Sequence, residues 1–231
     1  MWDILKNRWK QGYRTISFPG AEALPECFRG KPVVPKGKSV DLGRSLFSPD
    51  ADFDSSDEKI SYSNDYRMAV RKREDLNLSK EELPLATSLD SKMRKLFGRS
   101  LKLREVCAGS CTGCDLELSA LSNVVFDLSR FGIQFVASPR HADGLVVTGP
   151  VTRNMETALK KTYEAVAHPK IVITVGACAI SGGPFEGSPQ VLNGADKILP
   201  VDLYIPGCPP HPLTILDGLL RLLGKIEEGK R

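Results

Sequence analysis

The sequence predicts an α/β domain, an open parallel sheet with helices on both faces, preceded by an extended N-terminal arm. Five short apolar runs, LKLREV, IQFVAS, GLVVTG, KIVITVG and DLYIPG, are β-branched and bounded by Gly, Pro or Ser, as strands buried on both faces are. Stretches with apolar residues three or four apart separate them, which is helical spacing. All of this lies beyond about residue 100, whereas the preceding chain is richer in Ser, Asp, Lys, Glu and Pro.

Residues 1–32 form the first element. Trp2, Leu5 and Trp9 recur at near-helical spacing while Lys6, Arg8, Lys10 and Arg14 supply positive charge, so a short amphipathic helix is expected, resting on a membrane surface or on a protein partner. Residues 33–100 follow as an extended polar tether, because few clustered apolar residues are available to offset the entropy of ordering it. Arg71, Lys72 and Arg73 read as a solvated charge run within it. Residues 101–231 form the α/β domain. Within it Asp115 to Arg130 predicts one helix with Leu118, Leu121, Val125 and Leu128 on its buried face and Gly132 as its stop; Arg153 to Ala167 and Pro212 to Leu223 predict two more. Alternating strands and helices on this scale imply a flavodoxin-like arrangement with right-handed crossovers.

Composition narrows the function. With 231 residues, 41% hydrophobic and 26% charged, the chain is long enough for one buried core plus an extension and is neither fibrous nor wholly disordered. A formal charge of +4 does not imply nucleic-acid binding. No run of about 18 apolar residues is present, and the start MWDILKNRWKQGYR has no secretory h-region, so a cytoplasmic location is expected. Six cysteines in a reducing compartment point to metal ligation or redox chemistry rather than to disulfides.

Four of the cysteines sit where open α/β sheets bind ligands, just beyond strand carboxyl ends. Cys111 and Cys114 form Cys-Thr-Gly-Cys after the first strand, Cys178 follows KIVITVG and Cys208 follows DLYIPG. Four thiolates from three loops match the ligand number of a 4Fe-4S cluster. A zinc site or a thioredoxin-like pair remains open for Cys111 and Cys114 alone, but zinc ribbons bring a second close-spaced pair, which Cys178 and Cys208 do not form. Gly113, Gly176 and Gly207 flank the ligands and lack a Cβ, so backbone N–H groups can approach the cluster sulfurs. Glu117, one helical turn after Cys114, serves either proton transfer or the helix dipole. His211 serves either cluster tuning or an interface, and Arg140 and His141 approach either the site or a partner. Cys27 and Cys107 read as incidental thiols.

The segments CTGCDLE, SPRHADGLVVTGPVTRNM, VGACAISGG and VDLYIPGCPPHP resemble the small subunit of energy-converting group 4 nickel-iron hydrogenases, including formate hydrogenlyase, and its complex I relative in NADH-quinone oxidoreductase. The resemblance implies that Cys111, Cys114, Cys178 and Cys208 hold one proximal 4Fe-4S cluster. It implies an electron-transfer subunit without the catalytic metal, a nickel-iron large subunit, a two-cluster ferredoxin-like subunit and membrane subunits as partners, and a peripheral position on the cytoplasmic side of the membrane. Complex I subunits typically carry two of these ligands in adjacent positions; Thr112 and Gly113 separate them here, as in the hydrogenase branch. The stretch WKQGYRTISFPGAEALPECFRGKP resembles the membrane-lying lead of the ferredoxin-like subunit, without the cysteine run that follows it there. Two alternatives stand beside this reading: the cluster-bearing subunit of a complex I-like oxidoreductase reducing quinone or another acceptor, and a zinc-stabilised assembly module.

Overall fold

The computed structural model describes residues 2–20, 24–34, 39–48, 60–78, 83–98, 100–109 and 111–226. Helix α1 (Trp2–Gln11) opens the chain. Four two-residue strands follow, β1 (Pro32–Val33), β2 (Val40–Asp41), β3 (Ser61–Tyr62) and β4 (Asn77–Leu78), and then helix α2 (Ser91–Phe97). The main sheet comprises β5 (Leu101–Cys107), β6 (Ile133–Phe135), β7 (Gly144–Thr148), β8 (Ile171–Val175) and β9 (Leu203–Ile205). Interleaved with it are α3 (Gly113–Ala120), α4 (Arg153–Ala165), α5 (Ala177–Ser181) and α6 (Pro212–Leu222).

All pairings in the five-stranded sheet are parallel, in the order β6-β5-β7-β8-β9. Numbered within the sheet this is the flavodoxin-like order 2-1-3-4-5. Strand alternation separates its two faces. Leu101, Leu103, Val146, Ile171, Ile173 and Ile205 point into a core with Leu118 of α3 and Leu216 and Leu220 of α6. Val106, Leu145, Val147 and Val172 point into another with Leu159 of α4. Helices therefore cover both faces, as the pattern predicts.

The predicted helix from Asp115 to Arg130 is shorter than expected. α3 ends at Ala120, and a 3-10 turn at Leu128–Phe131 follows a bent connection. Asn123 is the cause: its Oδ1 accepts the N–H groups of Val125 at 2.8 Å and Phe126 at 3.1 Å, so the side chain takes donors that a continuous helix would satisfy through backbone carbonyls. Leu118, Leu121 and Leu128 still reach the same core, which is why their spacing imitates a helix.

The polar stretch after residue 33 is extended in backbone, but it is not a solvated tether where it is described. Val40, Leu42, Phe47, Ile60, Met68, Val70, Leu76 and Leu78 are buried in a third core with Ile180 and Tyr204. Val70 exchanges both backbone hydrogen bonds with Tyr204, at 3.0 and 2.9 Å, and so continues the sheet past the β9 edge. Arg73 grips Asp41 through two hydrogen bonds of 2.8 and 2.7 Å, so it too is paired rather than solvated. Ser181 of α5 donates to the Gly43 carbonyl at 2.8 Å, and Arg44 pairs with Glu186. Apolar residues scattered in sequence meet because the β9 edge offers them a wall, which local composition does not reveal.

Leu76 is fully buried in that third core, so Leu76→Ala is expected to lower the unfolding free energy by about 2–5 kcal/mol. Urea denaturation followed by circular dichroism measures this, and a change under about 0.5 kcal/mol would mark the segment as a tether after all.

Candidate metal centre

Three strand ends build the site. Cys111 and Cys114 follow β5, with Thr112 between them at φ 68°, a left-handed conformation that starts α3 abruptly. Cys178 lies in α5 directly after β8, and Cys208 follows β9. The last two loops are tied by backbone: Gly176 N–H donates to the Ile205 carbonyl at 2.9 Å and Ala177 N–H to the Gly207 carbonyl at 2.8 Å.

The four thiols are brought together. Burial, reinforced by Cys178, Cys208 and Cys111, pushes the Cys114 thiol far above its ordinary range. Burial, with Cys208 and Cys111 adding to it, pushes Cys178 up to about 11. Cys114 and Cys178 thus each feel the charge of neighbouring thiols, and without a cation beside them these two are held protonated. Among the described residues no three Cys, His, Asp or Glu side chains are grouped as holders of a single metal ion. The donor set is four mutually near thiols on three separate loops, and it fits a multi-iron group whose corners are apart better than one tetrahedral ion.

Glycine makes room for that set. A Cβ at Gly176 would stand 2.5 Å from Cys114 Sγ, and one at Gly183 would stand 2.9 Å from Cys178 Sγ. Gly176 also has φ 90° and ψ 154°, a region essentially reserved for glycine. A Cβ at Gly207 would meet Pro210 Cα at 2.4 Å, so this glycine lets the chain fold back beside Cys208. Gly113 differs from the expectation: a Cβ there meets Cys111 Sγ and Pro209 Cγ at 3.6 Å, ordinary contact, and space does not demand glycine. Gly183 is not among the glycines that spacing singles out, although the Gly-Gly-Pro after Cys178 is a signal for it.

Other expected residues divide. His211 caps α6, its Nδ1 accepting the Leu213 N–H at 3.2 Å, with its ring held edge-on between Phe28 at 5.2 Å and Phe126 at 6.1 Å. Burial lowers its pKa, so the imidazole is a neutral group beside Cys208. Glu117 is half-buried, and burial raises its carboxyl. Both line one cavity of about 330 Å³ with Cys208. Cys27, an incidental thiol by its sequence context, lines it too. Arg140 and His141 are exposed on a short 3-10 turn, with no hydrogen bond or ion pair to the cysteine loops among the described residues. Cys107 is exposed at the end of β5. Sequence spacing also misses a carboxyl pair. Asp115 accepts the Thr148 hydroxyl at 2.5 Å, and burial followed by the nearby Asp115 pushes Glu105 up to about 7.

The model of the family described as NADH ubiquinone oxidoreductase, 20 Kd subunit, matches residues 111–222. A probable membrane-bound hydrogenase subunit, mbhJ, of Pyrococcus furiosus is 47% identical over 132 residues, covering 57% of this chain and 79% of that protein. An NADH-quinone oxidoreductase subunit of Phocaeicola vulgatus is 50% identical over 133 residues, covering 57% of this chain and 66% of that protein. Formate hydrogenlyase subunit 7 of Escherichia coli is 45% identical over 141 residues, covering 61% of this chain but 55% of its own length. In structure, a chain of the membrane-bound sulfane sulfur reductase, an archaeal respiratory membrane complex, is similar with a TM-score of 0.51 and 35% identity, over 62% of this chain and 78% of that one.

The glycine geometry predicts a contrast. Gly176→Ala is expected to cost at least about 1–3 kcal/mol from backbone strain alone, before its clash with Cys114, while Gly113→Ala is expected to stay within about 0.5 kcal/mol of the parent. Thermal unfolding of both variants checks this, and equal effects would show that the Gly176 approach is not required.

Proposed function

We propose, because the chain belongs to the family of the 20 Kd subunit of NADH ubiquinone oxidoreductase, that it is the electron-transfer small subunit of a membrane-associated nickel-iron hydrogenase complex. The observation that carries this is the meeting of four thiols, from the carboxyl ends of β5, β8 and β9, over backbone stripped of Cβ atoms at Gly176 and Gly183. Cys111, Cys114, Cys178 and Cys208 would hold one 4Fe-4S cluster, which supplies reversible one-electron transfer when bound. The chain then relays electrons between a ferredoxin-like subunit and a large subunit that carries the nickel-iron site. Similarity to proteins named as a hydrogenase subunit and a formate hydrogenlyase subunit supports the hydrogenase branch, as does the two-residue gap between Cys111 and Cys114.

The chain's own residues prepare the site. Cys114 and Cys178, held neutral by burial and by the neighbouring thiols, must give up protons to become ligands, so loading releases protons. Glu117 lines the cavity with its carboxyl raised by burial, which places a proton-exchanging group there. His211 has committed Nδ1 to the α6 cap, which leaves Nε2 as its free donor near Cys208.

The second reading keeps the cluster but makes quinone or another acceptor the electron sink, and the 50% identity to the NADH-quinone oxidoreductase subunit of Phocaeicola vulgatus supports it. Sequencing the co-purifying large subunit decides between them, since a nickel site needs cysteine pairs of its own. Anaerobic purification is expected to yield about four iron and four sulfide per chain, with Cys178→Ser losing most of both. One zinc per chain and no iron would instead establish the assembly-module reading.

A peripheral membrane position is part of the proposal. Among the described residues no helix is long and apolar enough to cross a membrane. α1 has no buried residue, with Trp2 76% and Trp9 94% exposed. At about 100° per residue Trp2, Leu5 and Trp9 share one narrow face flanked by Lys6 and Arg8. Co-sedimentation with phosphatidylcholine vesicles containing phosphatidylserine is expected to retain the chain and to lose most of it on Trp2→Ser/Trp9→Ser. No difference between the two proteins would assign α1 to a protein partner.

A further inference from the structure

The cavity beside Cys208 has two walls of different origin. One is the proposed cluster loop with the start of α6, from Gly207 to His211 and Thr214. The other is N-terminal chain, including Phe28, Arg29 and Phe47. That second wall is firmly seated. Gly30 N–H donates to the Ser63 carbonyl at 2.9 Å and Lys31 N–H to the Asp65 carbonyl at 2.7 Å. A Cβ on Gly30 would stand 2.3 Å from the Asp65 carbonyl oxygen, so only glycine permits this approach. Phe28 meets the His211 ring edge-on, and Arg29 Nη1 donates to the Phe47 carbonyl at 2.7 Å, closing the segment on itself. The Arg29 guanidinium also lies 6.0 Å from the Tyr62 ring centroid. Among the described residues Arg29 forms no ion pair, and its guanidinium hydrogen bond goes to a neutral carbonyl.

We infer that Arg29, carried by the N-terminal segment into the cavity shared with Cys208, tunes the proposed cluster by favouring its reduced form. This rests on the cluster reading above and adds to it a residue outside the α/β domain. Reduction adds one negative charge at the cluster, and a fixed cation across a small cavity lowers the free energy of that state. Phe28 supports the effect from the same segment by covering His211 on its cavity side. Because Arg29 is itself exposed, its influence is screened by salt.

The test is an electron-paramagnetic-resonance redox titration of the purified complex at low ionic strength, comparing the parent with Arg29→Gln and Arg29→Lys. Arg29→Gln is expected to move the midpoint potential to a more negative value, Arg29→Lys to stay near the parent, and the difference between Gln and parent to shrink on adding salt. A residue that only holds the segment in place would not give that charge-specific, salt-sensitive pattern. If Arg29→Gln leaves the potential of a fully loaded cluster unchanged, or if Lys and Gln shift it equally, the inference is overturned while the cluster reading stands. A parent protein without the cluster signal overturns both.

Discussion

Everything at the cysteine site turns on how closely Cys114 Sγ approaches the backbone of Gly176. A methyl group at that position would lie 2.5 Å from the sulfur, so the loop after β8 reaches α3 only by having no side chain there. The same loop is bound by two backbone hydrogen bonds to the chain around Cys208. One steric permission therefore draws together three loops that the parallel sheet already delivers to one edge. The left-handed Thr112 separates Cys111 from the start of α3 at Gly113, so the two cysteines of the Cys-Thr-Gly-Cys run sit on either side of a sharp backbone turn.

Electrostatics then sets the character of the site. Four mutually near thiols in a half-buried place cannot all ionise unless a cationic group lies among them, which is why burial and neighbours lift Cys114 and Cys178 so far. The proposed cluster answers that need, and binding, deprotonation and local order become one event. Around the thiols burial lowers the pKa of His211, raises that of Glu117, and on the β5 side, with the nearby Asp115, raises Glu105 to about 7.

The N-terminal segment changes what the α/β domain can do. It covers the β9 edge through Val70 and Tyr204, so the sheet presents no bare strand there. It is fastened near Cys178 by Ser181 and Gly43, and near Cys208 by Phe28 and His211. α1 itself stays outside this packing, while Thr15 and Ile16 just beyond it are anchored to the carbonyls of Val124 and Val125 at 2.8 and 2.9 Å. The segment thus links an exposed aromatic helix to the surroundings of the cysteines within one chain.

The sequence by itself determined the strands and the placement of four cysteines just beyond three of them, because both are encoded locally: β-branched runs bounded by breakers, and thiols set directly after them. It also determined that helices flank the sheet, since spacing of three or four residues is a short-range signal. The flavodoxin-like class followed from that alternation, but strand register was not legible, because which residue of β5 meets which of β7, or of β8 and β9, depends on contacts far apart along the chain. Spacing overstates the length of α3 because Leu121 and Leu128 keep a helical interval while Asn123 breaks the helix through its own side chain. Only tertiary structure decided that the polar segment packs, that Gly183 rather than Gly113 gives the sulfurs room, and that Arg29 shares a cavity with Cys208. Each of those depends on which distant surface a residue meets, and composition averaged along a chain carries no record of that.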